Sequence, residues 1–229
     1  MAPRLELRVA GSDEEVVVRP RQLIVAGYTG RDETAVRAHI AELAEIGVEP
    51  PPTVPMFYTL DPRLLTTDEN IAVAGEHTSG EVEPVLIRAG GRWYLAVGSD
   101  HTDRELERRG VLESKAVCPK PVGASVLALS GEPSSVDLDA VRATSAVDGR
   151  AYQDGTLGGL RTPGDLWRRA LDALTPDALA PDAGDLALFC GTLPLLHGRF
   201  EPGRRWDIAL TMPGRAHLAH TYHVGRRRP

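Results

Sequence analysis

The chain has 229 residues, 42% of them apolar and 25% charged, which suits a soluble globular protein with enough length for one well-built core. A net charge of −6 and a pI near 5.7 argue against nucleic acid as a partner, and the Arg226-Arg227-Arg228 run is too short to reverse that. No apolar run is long enough to span a bilayer and no signal peptide is read at Met1-Ala2-Pro3-Arg4, so no membrane partner is expected. Two distant cysteines, Cys118 and Cys190, make neither a metal pair nor a disulfide framework, which fits a cytoplasmic protein.

In chain order, residues 5–9 and 15–19 read as an opening hairpin, and 22–26 as a third short apolar run. Gly27-Tyr28-Thr29-Gly30 turns into a helix over 32–46, where Val36, Ile40, Leu43 and Ile46 recur at helical spacing. Gly47 stops it and Pro50-Pro51-Pro52 forbids continuation. Residues 56–60 are extended, and two β runs then meet at Gly90-Gly91. Residues 102–109 are charged enough for a short surface helix, 115–123 form a proline-interrupted loop, and 125–129 a strand. Residues 130–150 carry little pattern and are expected at the periphery. Pro163 opens a second helix over 163–173 with Leu166, Trp167, Ala170 and Leu171 inward. Strands over 185–190, 205–212 and 217–224 complete the chain. Strands dominate, so the fold class is α+β with a β-rich core, in one domain because no linker-like stretch divides it.

The two β runs around Gly90-Gly91 carry the densest chemistry. Both glycines can take φ > 0, which suits a two-residue hairpin loop. Pairing Ala89 with Arg92 places Glu81 opposite Asp100 and Glu83 opposite Gly98. Side chains alternate across a strand, so Glu81, Glu83 and Asp100 share one face, with Gly98 leaving room between them. Three carboxylates so close repel one another, and a divalent cation with oxygen ligands is the usual remedy. The plainer alternative is a solvated strand face with scattered acids.

Other candidates lie outside this hairpin. His39 and Glu42 lie three apart on the first helix, so the carboxylate can orient the imidazole as a general base; ordinary exposed helices often carry such pairs too. Lys115 and Lys120 flank Cys118. They read as anion-binding groups, as solvated loop lysines, or as cations that lower a nucleophilic thiol's pKa. His217, His220 and His223 cannot share a metal on one strand, because alternation turns His220 away from the other two, and they are read as surface residues. Thr192 follows an apolar strand, a suitable place to receive an anionic group.

Taken in order, these segments resemble the fumarylacetoacetate hydrolase superfamily, in a branch labelled only as a domain of unknown function. The matching pieces are His39-Ile40-Ala41-Glu42, Glu81-Val82-Glu83, Asp100 with Arg104 four positions on, Lys115, Gln153-Asp154-Gly155, and Gly184-Asp185 through Gly191-Thr192. The resemblance implies an Mg²⁺-, Mn²⁺- or Ca²⁺-dependent homodimeric enzyme acting on a small anionic oxo-acid. It implies a single domain with N-terminal strands to residue 26, a lid-like helical segment over 27–55 and a catalytic core over 56–229. Glu81, Glu83 and Asp100 would hold the ion and His39, oriented by Glu42, would activate water. Lys115 would bind or polarise the substrate, with Arg104, Gln153 and Thr192 as further substrate-binding residues. The leading activity is hydrolysis of a C–C bond in an acylpyruvate-like diketone. Decarboxylation, tautomerisation and a catalytically inactive accessory role are the alternatives. Two departures touch the pocket: Thr59 replaces a family lysine in Phe57-Tyr58-Thr59, and the Gly191-Thr192-Leu193-Pro194 loop is one residue longer than the family's.

Overall fold

The computed structural model describes all residues except 1, 2, 46, 48, 175–178, 180–183, 215, 216, 228 and 229, and describes the backbone but not the side chains of His39, Leu43 and Ser135. The first strands are β1 (Leu5–Val9), β2 (Glu15–Val18), β3 (Pro20–Gly27) and β4 (Met56–Leu60), with helix α1 (Glu33–Glu45) between the last two. There follow β5 (Leu65–Thr66), β6 (Asn70–Val73), β7 (Thr78–Ser79), and the long hairpin of β8 (Val82–Ala89) and β9 (Arg92–Ser99). β10 (Thr102–Asp103) leads into α2 (Arg104–Glu107) and α3 (Val111–Ala116), then β11 (Lys120–Pro121) and β12 (Ser125–Ala128). β13 (Arg142–Val147), β14 (Arg150–Thr156), α4 (Pro163–Ala173), β15 (Asp185–Phe189), β16 (Arg205–Thr211) and β17 (His217–Arg226) complete the order.

Two sheets dominate. The larger runs β2-β1-β12-β9-β8-β15-β3-β4, and the smaller β14-β13-β16-β17-β6. The β8–β9 hairpin sits in the middle of the large sheet, buried along almost all of its length. Its register is Ala89 to Arg92, Glu83 to Gly98 and Val82 to Ser99, and the Asp100 N–H donates to the Glu81 carbonyl at 3.0 Å, which extends the pairing to those two acids. Gly90 and Gly91 take φ of 55° and 77°, the left-handed values that the two-residue turn requires. Val82, Leu95 and Val97 pack against Ile208, Leu210 and Leu218 of the small sheet. On another flank, Leu86 and Leu188 meet Leu166 and Ala170 of α4.

The α+β reading with a β-rich core describes this architecture. Helix α1 begins where Asp32 Oδ1 accepts from the Thr34 and Ala35 N–H groups, and Gly47 follows its end at φ 93°. Four local expectations need correction. β13, inside the segment expected at the periphery, is an interior strand of the small sheet; its buried positions are Ala143, Ser145 and Val147, two of them too small to give a strong apolar alternation. Lys115 stands in the last turn of α3 rather than in a loop, a helix too short for a 3.6-residue period to register. Arg104, expected on a surface helix, stands at the head of α2 with only 9% of its side chain exposed. Leu171 of α4 is exposed, while Leu166 and Ala170, four residues apart, carry the inward face.

Candidate active site

Glu81, Glu83 and Asp100 emerge on one face at the open end of the β8–β9 hairpin, Glu83 at 2% and Asp100 at 1% exposure. The space beside Glu83 is not open as the sequence suggested. A side chain at Gly98 would meet the Val85 and Phe189 carbons at 2.6 and 2.8 Å, so hydrocarbon fills that room and keeps the carboxylates dry. The Gly191 N–H donates to Glu83 Oε2 at 2.8 Å, which ties the loop after β15 to the carboxylate.

Cations surround the acids. Lys115 Nζ, reaching down from α3, donates to Asp100 Oδ2, and Lys120 Nζ lies 3.1 Å from Asp100 Oδ1. The Lys120 ammonium is fully buried and also donates to the Lys115 carbonyl at 2.7 Å and to the His101 carbonyl. Arg104 pairs with Glu81 at 3.0 Å and with Glu107 at 2.9 Å, and its Nε donates to Ser79 Oγ at 2.7 Å. The Phe200 ring lies over its guanidinium, 3.7 Å from ring centroid to Cζ.

Electrostatics follow from this geometry. Burial alone would raise the Asp100 carboxyl, but the Lys115 and Lys120 ammonium groups outweigh it and hold Asp100 well below the usual carboxylate range. Burial would likewise lower Lys115, yet Asp100, Glu81 and Glu107 drive it up, so the lysine is firmly charged. Glu83 is different. Burial and the nearby Asp100 charge push its carboxyl well above the ordinary value, against the opposing pull of Lys115 and the Gly191 N–H. Glu81 is raised by burial, partly offset by Arg104.

The set therefore contains four carboxylates, Glu81, Glu83, Asp100 and Glu107, and three cations, Arg104, Lys115 and Lys120. Among the described residues, Glu83 is the one of these acids without a cation at ion-pair distance. Oxygen donors with a surplus of negative charge suit a divalent cation in kind and in charge. The side-chain positions, however, are those of the ion-paired arrangement: among the described residues no three His, Cys, Asp or Glu side chains form a metal-holding group. Lys115 presents a charge where a metal would otherwise meet Asp100.

The remaining candidates fall into two groups. Gln153 Oε1 accepts from the Val82 N–H and Ser145 Oγ, and its Nε2 donates to Thr192 Oγ1 at 2.8 Å and to the Leu193 carbonyl at 2.7 Å. Thr192 in turn donates to the Val82 carbonyl at 2.8 Å. Both thus brace the 191–193 loop against β8 beside the acids. His39 lies on α1 with its side chain outside the described residues, and Glu42 is exposed on the same helix.

Sequence reasoning missed several members. Glu107 and Lys120 belong to the cluster; the sequence offers no role for Glu107 and leaves Lys120 between an anion-binding group, a solvated loop lysine and a cation beside a thiol. The ring nitrogens of His101 lie 3.0 Å from the Tyr222 hydroxyl and 2.9 Å from Thr78 Oγ1, and Ser99 Oγ also bonds Tyr222. Next to three predicted site features, a histidine after Asp100 was the available signal. Cys118 is buried and its thiol is pushed up to about 11 by burial, so it is a packing residue and not a thiolate nucleophile. His220 is half-buried rather than a surface residue, and burial lowers its pKa.

His101 gives a pH prediction. Burial, with Lys120 and Arg104 nearby, lowers its pKa to about 3 from 6.5. The folded state keeps it neutral, while the unfolded chain takes up a proton below 6.5. Its contribution is complete above that pH and is lost as pH falls, at up to about 1.4 kcal/mol per unit. Urea unfolding at pH 7 and pH 5 should show a drop in stability that is smaller in His101→Gln. An equal drop in both proteins would mean that other groups carry it.

With the site in view, the solved structures place the fold. A fumarylpyruvate hydrolase from Pseudomonas aeruginosa in complex with Mn²⁺ and pyruvate superposes with a TM-score of 0.60 at 18% identity, covering 99% of each chain. A fumarylacetoacetate hydrolase family protein from yeast gives 0.60 at 15% identity, over 92% of this chain and 95% of that one. A 5-carboxymethyl-2-hydroxymuconate delta-isomerase from Mycobacterium smegmatis gives 0.56 at 14%, over 93% and 81%. The architecture is that of the fumarylacetoacetate hydrolase superfamily. More narrowly, residues 26–222 match the profile of a family described as "Protein of unknown function (DUF2848)", and the chain belongs to that family. No curated protein matches its sequence.

Proposed function

We propose that this chain is a divalent-metal-dependent enzyme that hydrolyses a C–C bond in a small acidic diketone of the acylpyruvate type. The observation that carries this reading is the buried acid cluster on the β8–β9 hairpin, with Glu83 short of a cation. Glu81, Glu83 and Asp100 would hold Mg²⁺, Mn²⁺ or Ca²⁺. The ion, when bound, supplies Lewis-acid stabilisation of the enolate formed from a chelated diketone or 2-oxo acid. Lys115 would leave Asp100 and turn its charge to the substrate carboxylate. Arg104 orients Glu81 and favours its ionised form against the effect of burial, and Gln153 and Thr192 fix the loop that presents the Gly191 N–H to Glu83. His39 and Glu42 would activate water when α1 closes over the cluster. The Mn²⁺ and pyruvate complex of the Pseudomonas aeruginosa relative supports the metal and the class of ligand.

One observation favours a second reading. Glu42 stands exposed on α1, whereas the groups suited to enolate stabilisation already converge. Decarboxylation or tautomerisation of an oxo-acid needs that stabilisation without an activated water. Incubation with acetylpyruvate and Mg²⁺ should yield pyruvate and acetate; an intact carbon skeleton, or turnover of oxaloacetate alone, would favour the second reading. His39→Ala should lose hydrolysis by about 100-fold or more while Mg²⁺ affinity, measured by calorimetry, stays unchanged. Normal turnover in that variant would move the base elsewhere.

A further inference from the structure

Two tyrosines on segments that pack against the cluster's loop and lysine have no part in the scheme above. Tyr28 follows β3 and adopts φ of 58°, a left-handed conformation that costs a residue with a bulky side chain. The strain is held from both sides. The Thr29 carbonyl accepts from the Arg161 N–H at 2.8 Å. Thr29 Oγ1 also lies 1.8 Å from where a side chain at Gly191 would begin, so the turn packs on the glycine whose N–H holds Glu83. Tyr58, on the adjacent β4, leans on Gly27, where an added Cβ would stand 3.2 Å from its ring. Lys115 Nζ is 5.9 Å from the centre of the Tyr58 ring.

Both rings are half-buried or deeper, yet neither hydroxyl makes a hydrogen bond to a described residue. Buried or partly buried donors are normally spent within the protein. Burial raises both phenols, Tyr58 to about 12. At neutral pH each is therefore an O–H donor, and the Lys115 ammonium lies against the Tyr58 ring.

We propose that Tyr28 and Tyr58, with Lys115, form the recognition site for the oxygen-rich end of the substrate that points away from the metal, and so select an acid with acceptor oxygens at that end. This rests on the proposed metal-dependent reading. The strained turn exists to aim Tyr28, and the substrate oxygens supply the partners that the two hydroxyls lack. A substrate with a hydrocarbon tail at that position would leave both donors unpaired and bind weakly.

The test uses oxalate with Mg²⁺, followed by calorimetry and thermal unfolding. Tyr28→Phe and Tyr58→Phe should each weaken oxalate binding by about 5- to 30-fold, with Mg²⁺ affinity in the absence of oxalate unchanged. Tyr28→Gly should lose oxalate affinity similarly while its Tm stays equal or rises, because glycine takes the positive φ without strain. Stability kept while binding falls is a pattern that a packing role would not give. If wild-type protein binds Mg²⁺ and oxalate and the double phenylalanine variant binds oxalate within 2-fold of it, this proposal is overturned and the metal reading stands. Equal losses of Mg²⁺ and oxalate affinity would also overturn it, since the tyrosines would then shape the metal site. Wild-type protein that binds neither would overturn both.

Discussion

Glu83→Ala is expected to lower Mg²⁺ affinity by at least about 100-fold and to abolish turnover, while the chain still folds. Glu83 is the best place to test the cluster because its charge is the least compensated. Burial and Asp100 both disfavour its ionised form, and Arg104, Lys115 and Lys120 are engaged with other acids. Removing it deletes a ligand and also relieves repulsion, so the fold should tolerate the change. The main structural cost is the Gly191 N–H, which loses its acceptor, at about 1–3 kcal/mol. Glu83→Gln, which keeps an acceptor oxygen, should recover that stability but not the metal. Unchanged Mg²⁺ affinity in the alanine variant would show that the three-carboxylate account is wrong.

The second large effect is on stability. Lys120→Met should cost about 3–5 kcal/mol in urea unfolding, with the same m value. The Lys120 ammonium is fully buried, faces Asp100 at 3.1 Å, and ties the His101 carbonyl to the Lys115 carbonyl. Methionine fills similar space but leaves two carbonyls without a donor and Asp100 with one cation fewer. Lys115→Met should cost less, because Lys115 spends its charge on Asp100 and ties no backbone carbonyl. A loss below about 1 kcal/mol for Lys120→Met would mean that water or a neighbouring group takes over its bonds.

The two variants bear on what a sequence can and cannot reveal. The hairpin was legible because Gly90-Gly91 permits one tight turn and the alternation then fixes which acids share a face. The α4 boundaries were equally legible from Pro163 and the helical spacing of Leu166 and Ala170. Burial of cations was not legible. Spacing alone read Lys115 and Lys120 equally well as solvated loop lysines and put Arg104 on a surface helix, because charge normally marks solvent, and only the fold shows that acids on another segment draw them inside. β13 escaped because alanine and serine at its buried positions flatten the pattern. Tyr28 carried only the turn signal of its glycine neighbours; its positive φ goes with the packing of Thr29 on Gly191, far away in the chain. The resemblance to the fumarylacetoacetate hydrolase superfamily supplied what spacing alone lacked, an order for otherwise weak motifs.

The most direct test of the account is a crystal structure of the protein with Mn²⁺ and oxalate, with the ion located by its anomalous signal. The account predicts one ion within about 2.0–2.4 Å of carboxylate oxygens from Glu81, Glu83 and Asp100, chelated by oxalate, with Lys115 moved off Asp100 toward the ligand. An ion bound elsewhere, or Lys115 still seated on Asp100 with oxalate absent from the cluster, would contradict it.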